Sequence, residues 1–128
     1  MRIFDLLSAL VQSTVFHYVF GRKRQNLFLD SCLSLLAHGG QLLLGDLPNA
    51  SKRARFFASP AGIEFQEKYA QMMPNTPNQT VEKNSLDDSI IFALLRRAHI
   101  RGFDAYLLPQ AHDLPMANRR EDILIVRP

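Results

Sequence analysis

The residues best placed for chemistry stand at the end of a short apolar strand. Residues 41–45 lack the polar alternation of a half-buried strand, which predicts a strand buried on both faces, as in a parallel sheet covered by helices. Ligands bind beyond the carboxyl ends of such strands. Asp46 and Asn49 follow the strand directly, so we expect them at a binding crevice. Asp46 would orient a substrate hydroxyl or amine or act as a base; the alternative is that it caps the turn.

The elements that must position these two residues are predicted from apolar spacing and from helix start and stop signals. The helix-capping candidates are Asn26, Asn49 or Ser51, Ser59 before Pro60, and Ser85, and the glycine pair at 39–40 is a stop signal. The last two strands have no helix between them, so they should run antiparallel. The predicted elements are a strand over 9–12, a helix from 26 to the glycine pair, a strand over 41–45, helices over 52–58, 60–72 and 86–100, and strands over 103–108 and 122–126.

Composition predicts one ordinary folded domain. The chain has 128 residues, of which 47% are hydrophobic and 21% charged, enough for a single core. The only cysteine, Cys32, excludes an internal disulfide framework and favours the reducing cytoplasm, which is the predicted location. Its apolar neighbours predict a buried helix position rather than a reactive thiol. No metal-ligand spacing such as C-x-x-C occurs, so no metal site is predicted.

Charge and hydropathy argue against nucleic acid and membranes as partners. The net charge of +3 comes from short basic clusters at predicted helix ends and turns, where solvated cations are favourable. These clusters lack the aromatic interleaving that stacks bases. The apolar stretch over 3–20 is interrupted by Asp5, Gln12 and His17, so it is predicted to be core rather than a membrane span.

Four short motifs, taken in order, resemble a known family. They are V-F-H-Y at 15–18, L-L-A-H-G-G at 35–40, G-D-L-P-N at 45–49 and G-F-D-A-Y at 102–106. Their order and spacing resemble the C-terminal half of class I S-adenosylmethionine-dependent methyltransferases over nearly the whole chain. The resemblance implies an α/β fold, a Rossmann-like half-sheet of parallel strands flanked by helices and ending in an antiparallel strand pair. It also implies S-adenosylmethionine as cofactor.

The resemblance assigns the residues after the fourth strand of that fold to the cofactor pocket. Here these are Gln12, Ser13, Thr14 and Phe16, whose ring would cover the adenine. Helix capping is the alternative for Ser13 and Thr14, and a core position is the alternative for Phe16. His17 would act as a base at the pocket edge; the alternative is a packed, hydrogen-bonded histidine.

The implied reaction is methyl transfer to a small-molecule or glycan-type acceptor. Methyl transfer needs in-line positioning and sometimes a base, so Asp46 and His17 are the candidate catalytic residues. Asn49 and Lys52 are the candidate substrate-binding residues. Together with Arg53 and Arg55, Lys52 would hold an anionic group, the alternative being a solvated helix face.

One departure from the family limits this expectation. The chain contains no G-x-G sequence, whereas the family carries its cofactor on a glycine-rich loop after the first strand. We therefore expect residues 1–128 to form a single methyltransferase-like domain truncated on its N-terminal side. The missing N-terminal half, or a second copy paired at the exposed first strand, would be the partner. The alternative function is a non-catalytic interaction module on a methyltransferase scaffold.

Overall fold

A computed structural model describes residues 9–12, 22–74 and 86–128 of the chain. The side chains of 9–12, 22 and 23 are outside this description. The helices and strands within these ranges are β1 (Ala9–Gln12), α1 (Arg22–Leu35), β2 (Gln41–Pro48), α2 (Ala50–Ala58), α3 (Pro60–Met72), α4 (Asp88–Ile100), β3 (Asp104–Pro109) and β4 (Arg120–Val126).

The strands form one sheet in the order β1-β2-β4-β3. The last strand, β4, lies between β2 and β3 and pairs antiparallel with both, so that Leu124 stands opposite Leu43 on one side and Tyr106 on the other. At the edge, β1 pairs parallel with β2 over four residues, from Ala9 opposite Leu42 to Gln12 opposite Gly45. As a consequence, β1, β2 and β3 all end at the same edge of the sheet, which we call the carboxyl edge.

The predicted α/β half-sheet of parallel strands is wrong. The main body of the sheet, β2-β4-β3, is antiparallel throughout, which gives an α+β arrangement. Among the described residues, parallel pairing is limited to the four residues of β1 and an isolated bridge between Asn49 and Leu86. The apolar run at 42–44 marks β2 as an inner strand, with Leu42 and Leu44 fully buried and Leu43 half-buried. Burial identifies an inner strand but does not fix the direction of its neighbours.

The hydrophobic core lies between the sheet and two helices. Leu29, Leu33 and Leu36 are spaced to form one apolar stripe that begins on α1 and ends just after it. The inward face of the sheet presents cross-strand pairs, including Leu42 with Ile125 and Leu44 with Ile123. The remaining buried apolar residues, half of them from α4, are Leu47, Leu86, Ile91, Leu94, Ala98 and Ala105.

Each of the helices α2, α3 and α4 is preceded by a residue whose side chain caps its N-terminus. Asn49 caps α2 through backbone N–H groups of its first turn, and Ser59 caps α3 ahead of Pro60. For α4 the capping residue is Asp87, which accepts from the backbone N–H of Ile90, so the helix begins at Asp88 rather than at 86. The predicted cap, Ser85, lies outside the described residues.

No helix among the described residues is both long enough and apolar enough to cross a bilayer.

Candidate functional site

The carboxyl edge carries a polar cluster centred on Asp46. A register shift between Leu44 and Leu47 interrupts the β2–β4 ladder, and Asp46 sits inside this bulge with a φ of 61°. The left-handed region is uncommon for a residue with a side chain, although Asp tolerates it better than most. The bulge therefore re-aims the Asp46 side chain away from the regular alternation of the strand.

The carboxylate and the backbone N–H of Asp46 are held by partners from β4 and from the residue that follows β3. Its carboxylate accepts from Nη1 of Arg120 at 2.5 Å and from Nε2 of Gln110 at 3.1 Å. Its backbone N–H donates to Oδ1 of Asp122 at 2.8 Å, and Gln110 also donates to that oxygen, at 3.2 Å. The Asp46 side chain is 44% exposed, whereas that of Arg120 is 18% exposed. The result is a solvent-accessible carboxylate in a fixed position.

Asn49 forms the buried centre of the same edge. It is 1% exposed, and its Oδ1 accepts from the backbone N–H groups of Ser51 and Lys52. Its Nδ2 donates to Asp88 at 2.9 Å and to Glu121 at 2.6 Å. These contacts use both amide protons and give Asn49 the role of joining α2, α4 and β4. Its predicted contact with substrate stays a prediction.

Lys52 and Arg55 tie α2 to its surroundings. Nζ of Lys52 donates to the carbonyl oxygen of Arg120 at 2.8 Å. Arg55 pairs with Asp88 at 2.5 Å while its own side chain remains 59% exposed. The hydrogen bond from Arg55, followed by that from Asn49, holds the pKa of Asp88 below the usual range of an aspartate. Asp88 is therefore an anchoring carboxylate in its ionised form.

A cleft of about 860 Å³ opens beside these residues, and we call it the acceptor cleft. It lies between α2, α3 and the connection over 110–119 that joins β3 to β4. Lys52 and Arg55 line it from α2, Phe65 from α3, and Gln110 from the connection. Because Gln110 also bonds Asp46, the Asp46 carboxylate is linked directly to the wall of the cleft.

Sequence patterns singled out Asp46, Asn49 and Lys52, and the structure brings all three to the carboxyl edge. They did not single out Gln110 and Arg120, because no local motif marks them. Arg120 faces the site because β4 pairs with β2, which sets Arg120 opposite Pro48. Knowledge of that register would have been the one signal able to identify it.

The other predicted site residues are less fully defined. Gln12 ends β1, where its backbone is in register with Gly45, next to Asp46. Ser13, Thr14, Phe16 and His17 lie outside the described residues, so their predicted roles stay predictions. In the part of the chain that the structure describes, no group of three or more His, Cys, Asp or Glu side chains could hold a metal ion.

The arrangement suits the orientation of a polar ligand rather than covalent chemistry. A carboxylate fixed by an arginine and an amide can accept a hydrogen bond from a ligand hydroxyl or amine, and the cleft beside it has the size of a small-molecule site. Comparison of the chain with protein-family models and with curated proteins found no match in either set.

Proposed function

We propose that this chain carries the acceptor-binding side of an S-adenosylmethionine-dependent methyltransferase acting on a small polar or glycan-type acceptor. The observation that carries the proposal is the position of Asp46. Its carboxylate is fixed by Arg120 and Gln110, partly exposed, and linked through Gln110 to the acceptor cleft. Methyl transfer requires a nucleophile held in line and at most one base, and such a carboxylate can serve either purpose.

The residues that carry the methyltransferase resemblance also form part of the candidate site, and this supports the proposal. The G-D-L-P-N segment at 45–49, which resembles the methyltransferase motif, makes up the β2 bulge and the cap of α2. The following turn of α2 brings Lys52 into the cleft wall. The residues that carry the resemblance are thus also the residues that position the candidate site.

The cofactor would be held by the segment that begins at Gln12. Gln12 pairs with Gly45, the residue before Asp46, so the segment starts beside Asp46 at the carboxyl edge. When bound, S-adenosylmethionine supplies an electrophilic methyl group. The residues of this chain would orient the acceptor atom, with Asp46 accepting its proton or hydrogen bond.

The test is calorimetric titration of the purified chain with S-adenosylmethionine. We expect saturable binding in the micromolar range, weakened about tenfold by Ser13→Ala or Thr14→Ala, since each would remove a hydrogen bond worth about 1.4 kcal/mol. Ser34→Ala, at an exposed position on α1, is the matched control and should leave the affinity unchanged. Absence of binding heat would contradict the proposal and leave the non-catalytic interaction module as the function to test.

A further inference from the structure

We infer that the acceptor cleft binds an acidic sugar, with the sugar ring against Phe56 and Phe65 and its carboxylate at Lys52 and Arg55. This inference rests on the proposed function, because it names the substrate class of the same site. Three features of the cleft wall carry it: an aromatic side, a cationic side and a set of small polar groups between them.

The aromatic side comes from the packing of α2 against α3. The rings of Phe56 and Phe65 meet edge to face, with centroids 5.7 Å apart and planes inclined at 69°, and both line the cleft. Phe65 is partly exposed. The electron-rich face of an aromatic ring attracts electropositive edges, and the C–H face of a pyranose presents such an edge. This side therefore suits a sugar ring.

On the cationic side, Lys52 and Arg55 carry more N–H donors than their hydrogen bonds to Arg120 and Asp88 use. Lys52 and Arg55 are three residues apart on α2, so their side chains share a helix face. The ammonium of Lys52 has three N–H donors and the guanidinium of Arg55 five, of which the hydrogen bonds to Arg120 and to Asp88 use only part. Among the described residues that line the cleft there are these two cations and one carboxylate, Asp113, while the carboxylate of Asp88 pairs with Arg55. A ligand carboxylate would complete this side with charge-assisted hydrogen bonds.

The remaining polar groups favour a sugar over an aromatic acid. Ser59, Gln110, His112 and Asn118 also line the cleft, and their hydroxyl, amide and imidazole groups match ligand hydroxyls. A flat aromatic acid would satisfy Lys52 and Arg55 but would leave the other groups without partners. The volume of about 860 Å³ exceeds one sugar ring, so it can admit a ring joined to a further residue or held beside a methyl donor.

The first test compares three ligands of the same ring. D-glucuronate, its methyl ester and D-glucose are titrated into the labelled chain and followed by amide chemical shifts. We expect glucuronate to bind at least about fivefold more tightly than the other two, as charge-assisted hydrogen bonds exceed neutral ones, with shifts in 52–59 and 110–118. Equal affinities for all three ligands, or no binding of glucuronate, would overturn the inference.

The second test changes the protein at one cation. Arg55→Gln should weaken glucuronate binding at least about fivefold and leave glucose binding unchanged, and Arg55→Lys should recover part of the loss. Lys68→Gln is the matched control: it removes the same charge from α3 at a residue paired with Glu64 outside the cleft wall. An equal loss in the control variant would overturn the inference.

The two proposals fail separately. Binding of S-adenosylmethionine without a preference for glucuronate would overturn the acidic-sugar inference alone. A preference for glucuronate without any binding of S-adenosylmethionine would overturn the methyltransferase proposal and retain the sugar site.

Discussion

Nδ2 of Asn49 lies 2.6 Å from Oε1 of Glu121, and both side chains are buried. The same amide nitrogen reaches Asp88, and the amide oxygen caps α2. One side chain thus hydrogen-bonds the buried carboxylate of Glu121, the partly exposed carboxylate of Asp88 and two backbone N–H groups of α2. Such an arrangement is costly to break, because every partner is left without its hydrogen bond.

Asn49→Ala should lower the free energy of unfolding by about 2–4 kcal/mol. The loss combines a missing helix cap, worth about 1 kcal/mol, with unsatisfied buried groups, worth about 1–3 kcal/mol. Urea unfolding followed by circular dichroism measures it. Asn118→Ala, at a half-buried position of the 110–119 connection, is the control and should cost clearly less. A loss under about 1 kcal/mol for Asn49→Ala would show that the network adds little to stability.

Gly62→Ala should destabilise the chain through a backbone clash. An added Cβ would lie 1.9 Å from the carbonyl oxygen of Phe56, so α2 and α3 would have to separate. Overpacking of this kind costs about 1–3 kcal/mol or more. Gly39→Ala is the comparison: its Cβ meets open space, but its φ is +76°, so only the left-handed backbone resists, at about 1–2 kcal/mol. Thermal unfolding of both variants should rank Gly62→Ala as the more damaging, and the reverse order would contradict the helix-packing explanation.

The positions of the elements were largely predictable, because their signals are local. The Ser59-Pro60 start gave α3 as 60–72, as observed, and the strand over 122–126 falls within β4. Strand β2 was predicted to stop at 45 but runs to Pro48, since the bulge at Asp46 lets pairing with β4 resume. The antiparallel direction of β3 and β4 was predicted correctly, whereas the antiparallel pairing of β2 with β4 was missed, because apolar burial is the same for either direction.

The site was predictable only on its β2 side. Asp46 and Asn49 follow an apolar strand, which is a local pattern. Their partners Arg120 and Glu121 are more than 70 residues away, so their proximity depends on strand pairing that no local pattern records. The predicted helix cap at Ser85 missed Asp87 by two residues, a shift within the usual uncertainty of helix ends.

Asp30→Asn should reduce stability at neutral pH and have less effect in acid. Asp30 accepts two hydrogen bonds from Arg97, at 2.9 and 2.7 Å, which join α1 to α4, and Arg101 lies nearby. The hydrogen bond from Arg97 is the main cause that lowers the pKa of Asp30 below its ordinary 3.8. A lowered folded-state pKa contributes stability that is present above 3.8 and is lost as pH falls through the folded value.

The measurement is the urea midpoint of wild type and Asp30→Asn at several pH values between 7 and 2. The difference between the two should narrow as the pH falls below 3.8. Glu64→Gln, which breaks the exposed pair with Lys68 on α3, is the control and should give a smaller difference throughout. A constant difference between wild type and Asp30→Asn would assign the loss to packing instead of charge.

Cys32 should be slow to alkylate in the folded chain. It lies half-buried on α1 against the core, and burial raises the pKa of its thiol. Since the thiolate is the reactive form, iodoacetamide at pH 8 should modify the folded chain at least about tenfold more slowly than the urea-unfolded chain. Equal rates in the two states would mean that α1 opens faster than the reagent reacts.

Asp46→Asn should separate catalysis from folding. Asparagine tolerates the left-handed backbone at this position and retains an acceptor oxygen, but it loses the charge that pairs with Arg120. If Asp46 orients or deprotonates the acceptor, the rate of methyl transfer should fall about 100-fold, while the affinity for S-adenosylmethionine stays within about twofold. Asp104→Asn, at the exposed start of β3 and so at the opposite edge of the sheet, is the matched control and should retain the rate.

Asp46→Gly adds the decisive comparison, because glycine adopts the same φ without strain. If both Asp46 variants kept the wild-type rate, the carboxylate would be acting only to fix the bulge in β2.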